Sequence, residues 1–403
     1  MSDALSPARD YRTCALIGTG HFLSHFYMLA LPPLFLLWRS EFGVSFAMLG
    51  LTVALMSGTT ALLQTPVGFL VDRHGARRFL VGGTLLMALS ISAMSLATEY
   101  WMIMALAVLS GIGNSVIHPA DYAILAGSIR REFMGRAFAL HTFTGNLGFA
   151  LGPPVIAGLL LLMGWREALA VVGLLGLPVV LAILWQSRIL GEQSKPRTPA
   201  AETGTRLLTS KPILAFFAFF LLSAMAGSGV SAFLITVLGE LWHTPIAVAS
   251  LTLTGYMVGA TAGTLVGGWM ADKRGSNLLG MVIVLTLASI VLLLSLGLVP
   301  WADWLLPPVA LLAGLCLGTS RTPRDVMLKE ACPPGEVGKV FGFVSAGLPL
   351  GGALMPVPLG LLLDGGHAGA VLPVVTALLA LSLLCAGSAR GLSAARIRAQ
   401  PAE

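Results

Sequence analysis

Charge is what this chain has least of. Asp, Glu, Lys and Arg make up 10% of its 403 residues, against about 25% in an ordinary soluble protein. Apolar residues make up 56%, and the mean hydropathy is +0.87. Twenty-four basic and 18 acidic side chains cannot wet a shell around so much Leu, Ala, Gly and Val, so lipid is the solvent for most of the surface. The same figures exclude intrinsic disorder. Cysteine is also scarce: Cys14, Cys316, Cys332 and Cys385 form no C-x-x-C pair and no metal-ligand spacing. Neither a disulfide framework nor a metal or other cofactor is expected. Glycine has no three-residue period, which excludes collagen. No Walker loop, G-x-x-x-x-G-K-[ST], occurs, so ATP is not the direct energy source through this chain. H-E-x-x-H and G-x-S-x-G are missing too, which leaves an enzyme without a visible metal pair or nucleophile.

What is present is a series of long apolar runs. A helix needs about 20 apolar residues to cross the hydrocarbon core. Twelve such runs occur, at 13–38, 46–70, 79–97, 102–127, 136–162, 166–187, 213–238, 246–270, 278–298, 304–327, 338–362 and 370–389. They are unbroken rather than alternating, and lipid tolerates only helices or closed barrels. The fold class expected is therefore all-α, a polytopic membrane protein with 12 transmembrane helices. The first run is longer than a signal peptide's apolar core and lacks a small-residue cleavage site, so it is expected to be retained. One connection is long. Residues 188–212 are polar and rich in Pro and Thr, a linker between an N-terminal six-helix half (1–187) and a C-terminal half (213–403).

Lysine and arginine set the orientation. With the N-terminus inside, every basic residue except Arg39, Arg166, Arg321 and Arg324 falls on the cytoplasmic side, and the last two lie within a span. Both termini are therefore expected in the cytoplasm. This distribution accounts for the net charge of +6 without a nucleic-acid partner, because basic loops sit against an anionic membrane face.

The halves repeat. After the second span comes Gly68-Phe-Leu-Val-Asp72-Arg73-His-Gly75-Ala-Arg77-Arg78; after the eighth comes Gly268-Trp-Met-Ala-Asp272-Lys273-Arg-Gly275-Ser-Asn277. The offset is 200 there and 203 later, pairing Gly111 with Gly314, Gly148 with Gly351 and Pro153 with Pro356. Both halves begin on the same side, so the repeat is parallel.

The G-x-x-x-D-R-x-G-x-R-R loop, echoed in the second half, resembles the cytoplasmic loop motif of the major facilitator superfamily. The segments GIGNSVIHPAD (111–121) and GNLGFALGPPVIAG (145–158) look most like its fosmidomycin-resistance branch of bacterial drug exporters. Asn277, where a basic residue is usual, is a departure, and the fifth span has only part of the antiporter G-P-x-x-G-G element. The resemblance implies a secondary active transporter in a bacterial-type cytoplasmic (inner) membrane. It would be a monomer in the lipid bilayer, moving a small molecule by alternating access. Proton-coupled export, as an antiporter or drug-efflux protein, is the first expectation. It also implies a conformational latch at Gly68, Asp72, Arg73, Gly75, Arg77, Asp272 and Gly275; simple topological anchoring is the alternative. A non-transporting sensor on the same scaffold is a distant alternative.

Several ionisable residues lie inside the spans, where such groups face a bundle interior or an aqueous cavity. His21 and His25 are four apart on one helical face, roughly 12 and 18 Å from the cytoplasmic end at 1.5 Å per residue. They can serve a proton pathway or be neutral rings bonded to carbonyls or hydroxyls such as Ser24; two histidines alone do not make a zinc site. His118 and Asp121, three apart, are candidates for proton coupling, substrate contact or a structural pair, and His141 and Asn146 for lining the cavity. In the tenth span Gly318-Thr-Ser-Arg321-Thr-Pro323-Arg324-Asp325 places Arg321 opposite His118 and Arg324 opposite Asp121 in the repeat. This departs from the fosmidomycin exporters. Two guanidinium forks on one face suit an organic anion such as a carboxylate or phosphonate. The alternative is an Arg321–Asp325 pair with Arg324 snorkelling to the headgroups.

Overall fold

Proline decides where several spans break. It lacks the N–H of the helical ladder, and its ring meets the carbonyl four residues back. In the computed structural model, which describes residues 7–130, 133–186, 189–190, 208–274, 277–331, 340 and 343–398, the first span is α1 (Pro7–Ala30), a 3₁₀ turn at Pro32–Leu34, then α2 (Phe35–Phe42). The fourth is α5 (Tyr100–Ser115) and α6 (Ile117–Ser128), interrupted just ahead of Pro119. The sixth is α8 (Trp165–Leu174) and α9 (Gly176–Trp185), ahead of Pro178. Unbroken helices supply the rest of this half: α3 (Phe46–His74), α4 (Ala76–Ala93) and α7 (Met134–Leu159), the last continuous through Pro153 and Pro154.

The second half contains α10 (Lys211–Trp242), α11 (Ile246–Arg274), α12 (Leu278–Leu298) and α13 (Leu306–Ala331). Then come α14 (Gly347–Leu354), α15 (Pro356–Asp364) and α16 (Ala368–Arg398), with Pro356 in the first turn of α15. Among the described residues ten spans are long and apolar enough to cross a membrane. The other two expected spans are α7 and α13, 26 residues each and about 39 Å long by helical rise. They are less apolar because they carry His141 and Asn146, and Arg321, Arg324 and Asp325. The chain is a twelve-span helical membrane protein.

It forms two compact units, Met1–Thr198 and Pro199–Glu403. In the first, α1 lies along α7, and α5 packs against α3 and α4. In the second, α11 lies along α13, and α10 along α16 and α14. The closest approach in the second unit is a glycine row. A Cβ on Gly255 would come 2.5 Å from the Pro307 carbonyl oxygen, and Cβ atoms on Gly259, Gly263 and Gly267 would strike the carbonyls of Leu311, Leu315 and Thr319. Small residues spaced by four let two backbones meet directly. At the 200 offset the first unit has Leu55, Thr59, Leu63 and Val67 instead, so this row belongs to one half of the repeat.

Turns repeat more faithfully than packing. Gly43 after α2 (φ 62°) and His243 after α10 (φ 55°) are left-handed helix caps exactly one 200-residue offset apart in number. Asn277 has a structural reason for departing from the loop motif: its side-chain oxygen accepts the N–H of Gly280 at 3.2 Å and caps α12.

Candidate functional site

The ionisable residues of the first unit converge where α1, α6 and α7 meet. Glycine makes this possible. Gly145, Gly148 and Gly152 share one face of α7, and a Cβ on Gly145 would come 2.5 Å from His21 Cε1 and 2.8 Å from His25 Nδ1. On Gly152 it would come 3.0 Å from the Phe26 carbonyl oxygen. Any larger residue at 145 would fill the space that the two imidazoles occupy.

Hydrogen bonds set the tautomers. His21 Nδ1 lies 2.8 Å from the carbonyl oxygen of His141, so it carries the proton and donates. In the neutral ring Nε2 then keeps a lone pair, and His118 Nε2, 3.3 Å away, donates to it. His141 Nε2 donates to Asp121 Oδ2 at 2.9 Å. The rings of His21 and His141 stack at 3.7 Å, those of His21 and His25 meet edge-on at 4.4 Å, and Phe149 stacks on His25 at 4.1 Å. His21, Asp121 and His141 are buried, while His25 and His118 are partly accessible. Asp121 Oδ1 and His118 Nδ1 are buried and make no hydrogen bond among the described residues.

These contacts differ from the pairing that residue spacing suggests. Asp121 bonds to His141 on another helix, not to His118 one turn away. Ser24 donates to the carbonyl of His21 (2.8 Å) and leaves the ring alone. Asn146 is half-buried and joins none of these hydrogen bonds. Tyr122, beside both His118 and His141 at 6.0 and 5.4 Å between ring centres, was not legible as a neighbour because it lies one residue past the polar pair.

The second unit encloses a cavity of about 270 Å³. Ser223, Thr286, Ser320, Arg321, Arg324 and Ser382 supply its polar lining. Arg324 is committed: its Nη2 lies 2.8 Å from Asp325 Oδ1, and its guanidinium sits 3.9 Å above the Phe220 ring. Arg321 has no carboxylate within ion-pairing distance among the described residues. The Arg321–Asp325 pair suggested by helical spacing is therefore replaced by Arg324–Asp325, between neighbours in sequence. Arg324 side-chain exposure is only 11%, so it does not snorkel.

The loop motif is partly visible. Gly75 has φ 97° and joins α3 to α4, a conformation that favours glycine. Gly68 has Pro119 Cβ at 4.0 Å as its nearest prospective neighbour, and Arg73 is exposed. Arg77 donates to the carbonyl of Leu190 at 3.1 Å and Arg9 to that of Ile189 at 3.0 Å, tying the start of the linker to the first unit. The side chains of Asp72 and Asp272, and Gly275 and Cys332 altogether, lie outside the described residues. Sequence reasoning missed Asp10, fully buried and bonded by Arg130 Nε at 2.6 Å. It also missed the role of the two outward basic residues. Arg166 pairs with Glu41, and Arg39 lies 4.2 Å over the Phe46 ring.

The sequence profile of the Major Facilitator Superfamily matches residues 17–240 and again 215–402. An uncharacterized MFS-type transporter, YfnC of Bacillus subtilis, is 25% identical over 367 residues, 88% of this chain and 87% of that protein. The fosmidomycin resistance protein of Escherichia coli is 25% identical, with 86% and 85% covered. Multidrug resistance protein MdtH of Photorhabdus laumondii is 28% identical, with 75% and 74% covered. Among solved structures, a bacterial homologue of the human lysosomal transporter Spinster matches with a TM-score of 0.80 at 15% identity, covering 98% of this chain and all of that one. The nucleoside transporter NupG matches with a TM-score of 0.78 at 12% identity, covering 94% and 99%. These structural likenesses carry the fold.

Proposed function

Because the chain belongs to the major facilitator superfamily, a family of membrane transporters rather than enzymes, we propose that it is a proton-coupled exporter of a small organic compound. Asp121 carries this reading. It is a fully buried carboxyl inside a membrane span, with one oxygen bonded to His141 and the other without a hydrogen-bond partner among the described residues. A lone carboxylate at that depth is costly, and groups retained there mark ion or proton pathways. Asp121 is the proton carrier, and His141 positions it. The similarity to proteins named for fosmidomycin and multidrug resistance supports outward movement of the compound. Alternating access between the two halves would couple proton entry to substrate release. The bacterial relatives support a cytoplasmic membrane, and the basic loops support both termini inside.

Proteoliposomes with an imposed pH gradient test the coupling. Wild-type protein should drive efflux of a transported compound and Asp121→Asn should not, while the variant still exchanges labelled for unlabelled compound. Full gradient-driven transport by Asp121→Asn would remove the coupling role.

Arg321 favours a second reading, transport of an organic anion. Its guanidinium lines a polar cavity, no carboxylate among the described residues pairs with it, and a guanidinium fork recognises carboxylate or phosphonate. For the loop motif, the resemblance supports a cytoplasmic latch centred on Asp72. Asp72→Asn should leave folding intact and slow turnover severely, with altered cysteine accessibility from the two sides; unchanged labelling with normal transport would remove the latch.

A further inference from the structure

The three histidines that line one edge of the α1–α6–α7 junction have a geometry that a proton pathway does not require. One ring nitrogen from each of His21, His25 and His118 lies within 4.8 Å of the other two. His21 Nε2 and His118 Nε2 are 3.3 Å apart. Ligands bound tetrahedrally to zinc at about 2.0–2.1 Å stand about 3.3 Å from one another. Two of the three rings are therefore already at the spacing of ligands on one ion, and a ring nitrogen of His25 stands within 4.8 Å of a nitrogen on each.

Around His21 the surroundings match what a bound metal needs. A metal-ligating histidine donates its other N–H to a carbonyl or carboxylate, which fixes the tautomer and aims the lone pair. His21 does so through Nδ1 to the His141 carbonyl, leaving Nε2 directed at His118. His141 in turn donates to Asp121, and its ring lies flat against His21. The Phe149 ring braces His25, and Gly145 leaves room for both α1 imidazoles. For His118 to become a ligand through Nε2, its proton must move to Nδ1, so the neutral ring keeps its proton and none needs to be released.

We propose that His21, His25 and His118 form a binding site for a late first-row divalent transition metal, zinc above all, with a fourth coordination position left open. The ligand set decides the metal class. Three imidazoles without a carboxylate or carbonyl ligand suit zinc, nickel, copper or cobalt and not magnesium or calcium. Three protein ligands with one vacant vertex also describe a site that can take a water or a donor atom of a passenger molecule. The site does not rest on the proton-carrier reading of Asp121, which is not among its ligands and reaches it only through His141.

The test uses the full-length chain purified without a polyhistidine tag and stripped of metal. Zinc chloride is titrated by calorimetry, and cobalt(II) chloride is followed by the visible absorption of a four-coordinate ion. The expected result is one ion per chain, with cobalt displaced by zinc. Affinity should fall at least tenfold in His25→Ala and in His118→Ala. Substitution of exposed His243 or His367 by Ala should leave it unchanged. His25 and His118 are only partly buried, so thermal unfolding without metal should be near wild type; if either alanine variant fails to fold, His25→Gln or His118→Gln replaces it. No stoichiometric binding by folded wild-type protein would overturn the site. So would zinc binding that survives the His25 and His118 substitutions, since the ion would then be held elsewhere.

Discussion

His141 Nε2 donates to Asp121 Oδ2 at 2.9 Å, joining α7 to α6 through side chains 20 residues apart that are both almost wholly buried. The bond orients the carboxyl, whose second oxygen has no hydrogen-bond partner among the described residues. His141→Gln should keep a donor near Asp121 in part and retain measurable coupled transport, whereas His141→Leu should leave the carboxyl unpaired. Gradient-driven efflux is therefore expected to fall further in His141→Leu than in His141→Gln. Equal loss in both would argue that the ring acts in some other way than by donating to Asp121.

Gly145→Ala places a methyl group 2.5 Å from His21 Cε1 and 2.8 Å from His25 Nδ1. Overpacking of this kind costs about 1–3 kcal/mol. Gly82→Ala in α4 has no neighbour within 4 Å and should be neutral or stabilising by about 0.5–1 kcal/mol, because alanine loses less entropy in a helix. In the same detergent the thermal unfolding midpoint should fall for Gly145→Ala and hold or rise for Gly82→Ala. A Gly145→Ala protein as stable as wild type would mean that α1 and α7 can separate at little cost.

Arg321→Lys keeps the charge in the second-unit cavity but loses the planar fork. If the compound is an organic anion, affinity should drop about tenfold or more, consistent with the loss of one charge-assisted hydrogen bond of about 1.5–3 kcal/mol. Arg324→Lys should change affinity less, since Arg324 is already paired with Asp325. Equilibrium binding of anionic and cationic compounds distinguishes these outcomes, and unchanged affinity in Arg321→Lys would leave the small neutral or cationic compound as the substrate class.

The chain should tolerate a cut near Pro199. Arg9 and Arg77 hold the carbonyls of Ile189 and Leu190, so those two residues remain with the first six spans after cleavage. Breaking the connection then costs mainly effective concentration. Co-expressed halves, 1–199 and 200–403, should co-purify and transport. Failure to associate, with the uncut chain well folded, would mean that the intervening segment contributes structure of its own.

The number of spans and the family were legible in the sequence for a simple reason. Apolar run length and repeated loop motifs are properties of the chain read in one dimension, and lipid enforces the helical outcome. The candidates inside the spans were legible as well, since an ionisable residue there stands out against its neighbours. Their partners were not. Spacing along a helix pairs His118 with Asp121 and Arg321 with Asp325, but helix rotation and crossing give Asp121 to His141, and Asp325 is taken by its neighbour in sequence, Arg324. His21 of α1 stacks on His141 of α7 because Gly145, Gly148 and Gly152 let the two helices approach so closely, a contact between residues 120 positions apart in the chain. Sequence by itself determined which groups are buried in the membrane; the rotation of α1, α6 and α7 about their axes decided which of those groups touch.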